Sequence, residues 1–115
     1  MTPSRFFLEV VPALGRLRAR AFPALAAKIS VVVDHEAFTL SLHDDVAPAR
    51  AGGDPAAPFQ LYLSTSAFER LLAGTLDVED ALAKKQVGYR GDVRVLAQLG
   101  RLLSGSGSAV DVRVR

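Results

Sequence analysis

The chain carries two histidines, His35 and His43, and the acidic residues nearest them are Asp34, Glu36, Asp44 and Asp45. These are the side chains that could ligate a metal or pass a proton. Alternating apolar residues on both sides of Asp34-His35-Glu36 place His35 in a hairpin turn and His43 at the far end of the second strand. At about 3.3 Å per residue the two imidazoles stand roughly 20–25 Å apart. They cannot share an ion within one chain, so no metal and no cofactor is expected.

Hydroxyls cluster at Ser64, Thr65 and Ser66, but cysteine is absent and no Gly-x-Ser-x-Gly elbow occurs. With so few candidates for a general base, the hydroxyls read as helix-capping residues and the chain as a non-enzyme. Gly52-Gly53-Asp54-Pro55 has the glycines of a phosphate cradle. Its proline removes a backbone donor, and the stretch reads as a turn.

Basic clusters at Arg16/Arg18/Arg20, Lys84/Lys85 and Arg113/Arg115 lack the interleaved aromatics that stack bases. The formal net charge is only +2, so nucleic acid is not an expected partner. The clusters read as solvated faces, with attraction to an anionic membrane surface as their further use.

Arg90-Gly91-Asp92 spells an integrin-binding tripeptide. Here it joins an alternating stretch, Val87 to Tyr89, to a leucine-rich one. Gly91 permits a sharp turn and Asp92 caps the following helix. The N-terminal stretch is broken by Glu9, Pro12 and Arg16, which reads against a signal peptide. Absent cysteines favour a reducing compartment, and the expected location is cytoplasmic.

These residues must be positioned by recognisable elements. Phe6, Phe7, Val10, Val11, Leu14 and Leu17 recur at helical spacing. This predicts a helix over 4–22, in two pieces around Pro12. Ile29, Val31 and Val33, then Phe38, Leu40 and Leu42, alternate as an antiparallel hairpin. A loop follows, with a short strand expected near Val46. Phe59, Leu61 and Leu63 point inward from a further strand.

Ser66 with Glu69 reads as a capping box for the next helix, and Gly74 closes it. Asp77 caps a helix expected to end with Lys84 and Lys85. After the Val87–Tyr89 strand, Asp92 opens a helix with Val93, Leu96, Leu99, Leu102 and Leu103. Residues 105–108 read as a flexible spacer. Val110, Val112 and Val114 alternate as a final strand or fraying end, suited to strand addition to a neighbour. Strands followed by helices predict an α+β fold in one domain over 1–104, with 105–115 as spacer and tail.

Taken together, the motifs from residue 57 to 103 resemble the sterol carrier protein family, in particular its bacterial members. The resemblance rests on the apolar strand Phe59 to Ser64, the helix Ser66 to Leu72 with its leucine pair, Gly74-Thr75-Leu76, a second helix Val78 to Ala83, the strand ending in Gly91-Asp92, and the helix Val93 to Leu103. A short front helix with Phe6-Phe7 and Pro12, and then a hairpin, are similar too. Lys85-Gln86 stands where the family often has Gly-Lys, and Pro58 where it often has an acid. Both bear on subtype more than on fold.

The resemblance implies a mostly antiparallel sheet of about five strands. Helices over it would enclose an apolar tunnel for a sterol, fatty acyl chain or phospholipid. It carries no catalytic residues. It assigns a cavity-lining role to Leu71, Leu72, Leu76, Leu82, Leu96, Leu99 and Leu103. The expected function is binding, and intracellular transfer, of a lipid-like molecule. The competing expectation is a non-catalytic accessory module of the same fold with a filled tunnel and a protein partner.

Overall fold

A computed structural model describes residues 1–104. The expected terminal strand and spacer lie outside the described residues. The first helix is continuous in direction but changes pitch. An α-turn α1, Pro3–Arg5, leads into a π-helical stretch Phe6–Val10 and then α2, Val11–Arg18. Pro12 lacks the N–H that an α-helix needs. The wider π-turn before it, closed by Val11 N–H on the Phe6 carbonyl, absorbs that defect without breaking the rod. The expected helix to residue 22 ends at Arg18, and a 3₁₀ turn, Ala19–Ala21, follows.

The arginines here are not uniformly solvated. Arg18 is half-buried with its guanidinium 6.0 Å from the Phe22 ring centroid, and Arg20 pairs with Asp45 at 3.2 Å.

The sheet has five strands in the order β3-β2-β1-β4-β5. They are β1 Ile29–Val33, β2 Glu36–Leu40, β3 Ala49–Ala51, β4 Phe59–Leu63 and β5 Val87–Arg90. Three pairings are antiparallel, and β1 with β4 is parallel. In the hairpin Val31 stands opposite Phe38, and in the parallel pair Val31 stands beside Leu61. The odd-numbered residues of β1 and β4 therefore face the same side, and all are buried.

The third strand lies later than Val46. Asp44 Oδ1 accepts the N–H groups of Val46 (2.8 Å) and Ala47 (3.1 Å). That Asx turn leaves Val46 92% exposed and delays pairing to Ala49.

Helices α3 Thr65–Ala73, α4 Val78–Ala83 and α5 Val93–Ser104 cross the inner face. The N-cap of α3 is Ser64, not Ser66: its backbone is still extended and its Oγ accepts Ala67 N–H at 3.0 Å. Gly74 ends α3 at φ +75°, as a left-handed C-cap does. Asp77 caps α4, accepting Asp80 N–H at 3.2 Å. This helix stops at Ala83, and Lys85 turns left-handed at φ +59° to aim the chain into β5.

Asp92 accepts Arg94 N–H at 2.9 Å, and two Arg94 guanidinium nitrogens grip its carboxylate. Those bonds hold the carboxyl below its ordinary range. Gly91 sits at φ +125°, and a Cβ there would lie 2.5 Å from the Pro58 carbonyl oxygen. Only glycine brings β5 so close to the start of β4.

The core is continuous. Phe6 meets Phe7 edge-on at 5.1 Å and Phe68 at 5.6 Å, while Phe7 stacks on Phe38 at 5.4 Å. These aromatic contacts fix the front helix to the sheet and to α3. The outer sheet face is covered in part by the 52–57 loop. Asp54 N–H donates to Ser30 Oγ at 3.1 Å, and Thr39 Oγ1 donates to the Gly52 carbonyl at 2.8 Å. Both hydroxyls are thereby satisfied although Ser30 and Thr39 are 2% exposed.

Candidate functional site

An apolar void lies between the sheet and the helices. Leu61 and Leu63 of β4 and Val87 of β5 form its floor, α5 contributes Leu96, Leu99, Gly100 and Leu103, and Phe7, Leu71, Leu76 and Val78 close the remaining sides. The α5 residues recur at three- and four-residue steps, so one face of that helix lines the void. Gly100, one turn beyond Leu96, is buried and leaves no side chain in the space. The volume is about 40 Å³. Ligand pockets usually measure about 300–1,000 Å³. With an apolar lining the void offers water no hydrogen-bond partner and stays dry.

The seven leucines assigned by resemblance divide here. Leu71, Leu76, Leu96, Leu99 and Leu103 line the void. Leu72 and Leu82 are partly buried, pack against the core, and are not in the lining. Each stands one position past a buried residue, Leu71 and Ala81, and so is turned off the inward face. Sequence reading missed Phe7, Leu61, Leu63, Val78, Val87 and Gly100 as lining. Their inward parity on strand or helix was visible, but nothing in it separates a wall of a void from a packed contact.

Among the described residues the polar side chains form no comparable site. Asp34 sits in the β1–β2 turn at φ +51°. Its carboxylate accepts Thr65 N–H at 2.8 Å, the Thr65 hydroxyl, and the Tyr62 hydroxyl at 3.2 Å. The Thr65 hydroxyl, and then its N–H, hold the Asp34 carboxyl below its ordinary range. Hydrogen bonding to this anion pushes the Tyr62 phenol up. A carboxylate so fully hydrogen-bonded is a weak base, and it works as a clamp between the hairpin and the start of α3.

His43 Nε2 donates to the Phe22 carbonyl at 3.2 Å and tethers the β2–β3 loop. Among the described residues no group of three or more His, Asp or Glu could hold a metal ion. No helix among them is long and apolar enough to cross a membrane.

No protein-family model matches the chain. A neurosporene-forming phytoene desaturase of Rhodobacter capsulatus is 31% identical over 114 residues, covering 93% of this chain and 21% of the desaturase. The chain thus spans about a fifth of the length of that curated relative. A stereoselective inverting sec-alkylsulfatase of Pseudomonas sp. is similar in structure, with TM-score 0.68 and 22% identity over 95% of this chain and 17% of the sulfatase. The Aedes aegypti sterol carrier protein 2, in complex with palmitate, has TM-score 0.69 and 13% identity over 90% of this chain and 96% of its own. The chain has the sterol carrier protein fold, a five-stranded mixed sheet with helices on it, and the resemblance read from the sequence holds at the level of fold.

Proposed function

We propose that this chain binds a lipid-like apolar molecule between the inner sheet face and helices α3, α4 and α5. The observation that carries this reading is the all-apolar void beneath α5, in a fold whose Aedes aegypti example holds palmitate. At about 40 Å³ the void must enlarge to hold an acyl chain. The ligand enters by parting α5 from α3 and α4, whose side chains bordering the void are aliphatic. Each methylene buried contributes about 0.8 kcal/mol, and reopening packed leucines offsets part of that gain. The five lining leucines would contact the ligand, and Leu72 and Leu82 would support them.

No residue is assigned a catalytic role. The chain acts as a carrier in the cytoplasm, exchanging its ligand with anionic membranes. Leu17, 81% exposed between the exposed Arg16 and the half-buried Arg18, suits a passing contact with such a surface. The test is organic extraction of the purified chain followed by mass spectrometry. A stoichiometric sterol, fatty acid or phospholipid supports the proposal. An extract without lipid, together with no uptake of added palmitate, refutes it.

The small volume favours one second reading, a non-catalytic accessory module whose interior stays filled. In that case the void keeps its size in any complex, and the protein works through its surface.

A further inference from the structure

The outer sheet face is only partly covered. Past the 52–57 loop it opens into a shallow groove of about 310 Å³ lined by Val32, Gln60, Tyr62, Gly88 and Arg90, among others. Register puts Tyr62 opposite Gly88 and Gln60 opposite Arg90, so these four side-chain positions share the outer face. Tyr62 and the neighbouring Tyr89 are each 39% exposed.

Gly88 is the unusual member. It lies in the middle of β5, where glycine weakens a strand. Its φ is not in the left-handed region, and an added Cβ would meet only Tyr62 Cβ, at an ordinary 3.9 Å. Neither backbone geometry nor packing within the chain calls for glycine here. Its effect is to keep the floor of the groove low between Tyr62 and Arg90, as where another backbone approaches closely.

Arg90 is the second observation. Among the described residues its guanidinium has no ion-pair or hydrogen-bond partner. The nearby carboxylates are engaged: Asp34 by Thr65 and Tyr62, Asp92 by Arg94, and Asp54 by Lys28. Tyrosine and arginine around a low apolar floor are the residue types that dominate protein interfaces. The groove is too open to enclose a small molecule on most sides.

From this geometry we infer that the groove docks an extended segment of a partner protein. That segment lays its backbone over Gly88, sets a bulky apolar side chain against Val32 and Tyr62, and places a carboxylate on Arg90. A second copy of this chain is a poor occupant. The same groove on a facing copy holds no carboxylate to meet Arg90. The inference stands apart from the lipid reading, because of the groove's residues Leu61 alone also lines the void.

The test pans the full chain against a phage-displayed library of random linear nonapeptides. The enriched peptides, synthesised with a fluorophore, are then titrated into wild type, Gly88→Val and Arg90→Glu. The expected consensus pairs Asp or Glu with a large apolar residue. Its affinity should fall at least tenfold in each variant, with amide shift changes centred on Val32, Tyr62 and Gly88. Palmitate uptake should stay unchanged in both variants. Valine suits a strand, and equal thermal midpoints for variant and wild type exclude a folding defect. No enrichment overturns the inference, as do peptides indifferent to both substitutions or shifts centred on the interior. A wild-type dimer in sedimentation that Gly88→Val dissociates also overturns it, since the occupant would then be a second copy.

Discussion

Gly91 and Asp34 show how single residues set the frame. Gly91 combines φ +125° with a Pro58 carbonyl oxygen 2.5 Å from where a Cβ would stand. Gly91→Ala should therefore destabilise by about 1–3 kcal/mol or more through strain and displacement together. Urea unfolding checks this, and a change within error would mean the close approach relaxes freely. Asp34 makes a pH prediction. Its folded carboxyl titrates below the ordinary value because Thr65 hydrogen-bonds the anion. That stabilisation is fully present above the ordinary carboxylate range, about pH 4. It is lost as pH falls through the lower folded value. Asp34→Asn should lower stability near neutrality and flatten the loss of stability below about pH 4. Urea midpoints at several acid pH values measure it, and an unchanged acid slope would remove Asp34 from the account. At this scale the sequence was informative where the chemistry was local. Gly91-Asp92 was legible as a turn and a cap. The cap of α3 was not, since Ser64 and Ser66 are equally capable. The choice falls to Ser64 because Asp34, thirty-one residues away, occupies Thr65 N–H.

Among the elements, α5 carries the most consequence. Its inward stripe was readable from leucine spacing, as were the β1–β2 hairpin and the inward residues of β4. Strand direction was not. Alternation has no sense of up or down, so the parallel pairing of β1 with β4 depends on the path of the 41–58 loop. The same loop hid β3, because the Asx turn at Asp44 is what shifts pairing from Val46 to Ala49. Gly100 gives the element its test. A glycine inside a helix costs about 1 kcal/mol against alanine, and here it borders the void. Gly100→Ala should raise stability by about 1 kcal/mol and weaken binding of an acyl ligand that uses the space. Thermal unfolding and a fatty-acid titration read the two effects separately. A destabilised variant would mean that no room exists beside Gly100.

The whole molecule combines a small apolar void beneath α5 with an outer face left open at Gly88. The fold was legible because its motifs come in order along the chain. The size of the interior was not, since the same leucines build a packed core or a tunnel. To admit an acyl chain, the leucines around the void must part. Titration of methyl-labelled protein with palmitate tests it most directly. Saturable shifts of the Leu71, Leu76, Leu96, Leu99 and Leu103 methyl groups are expected at one palmitate per chain, with Leu25 and Leu40 methyls little changed. Shifts confined to surface methyls such as Leu17, or none at all, would contradict it.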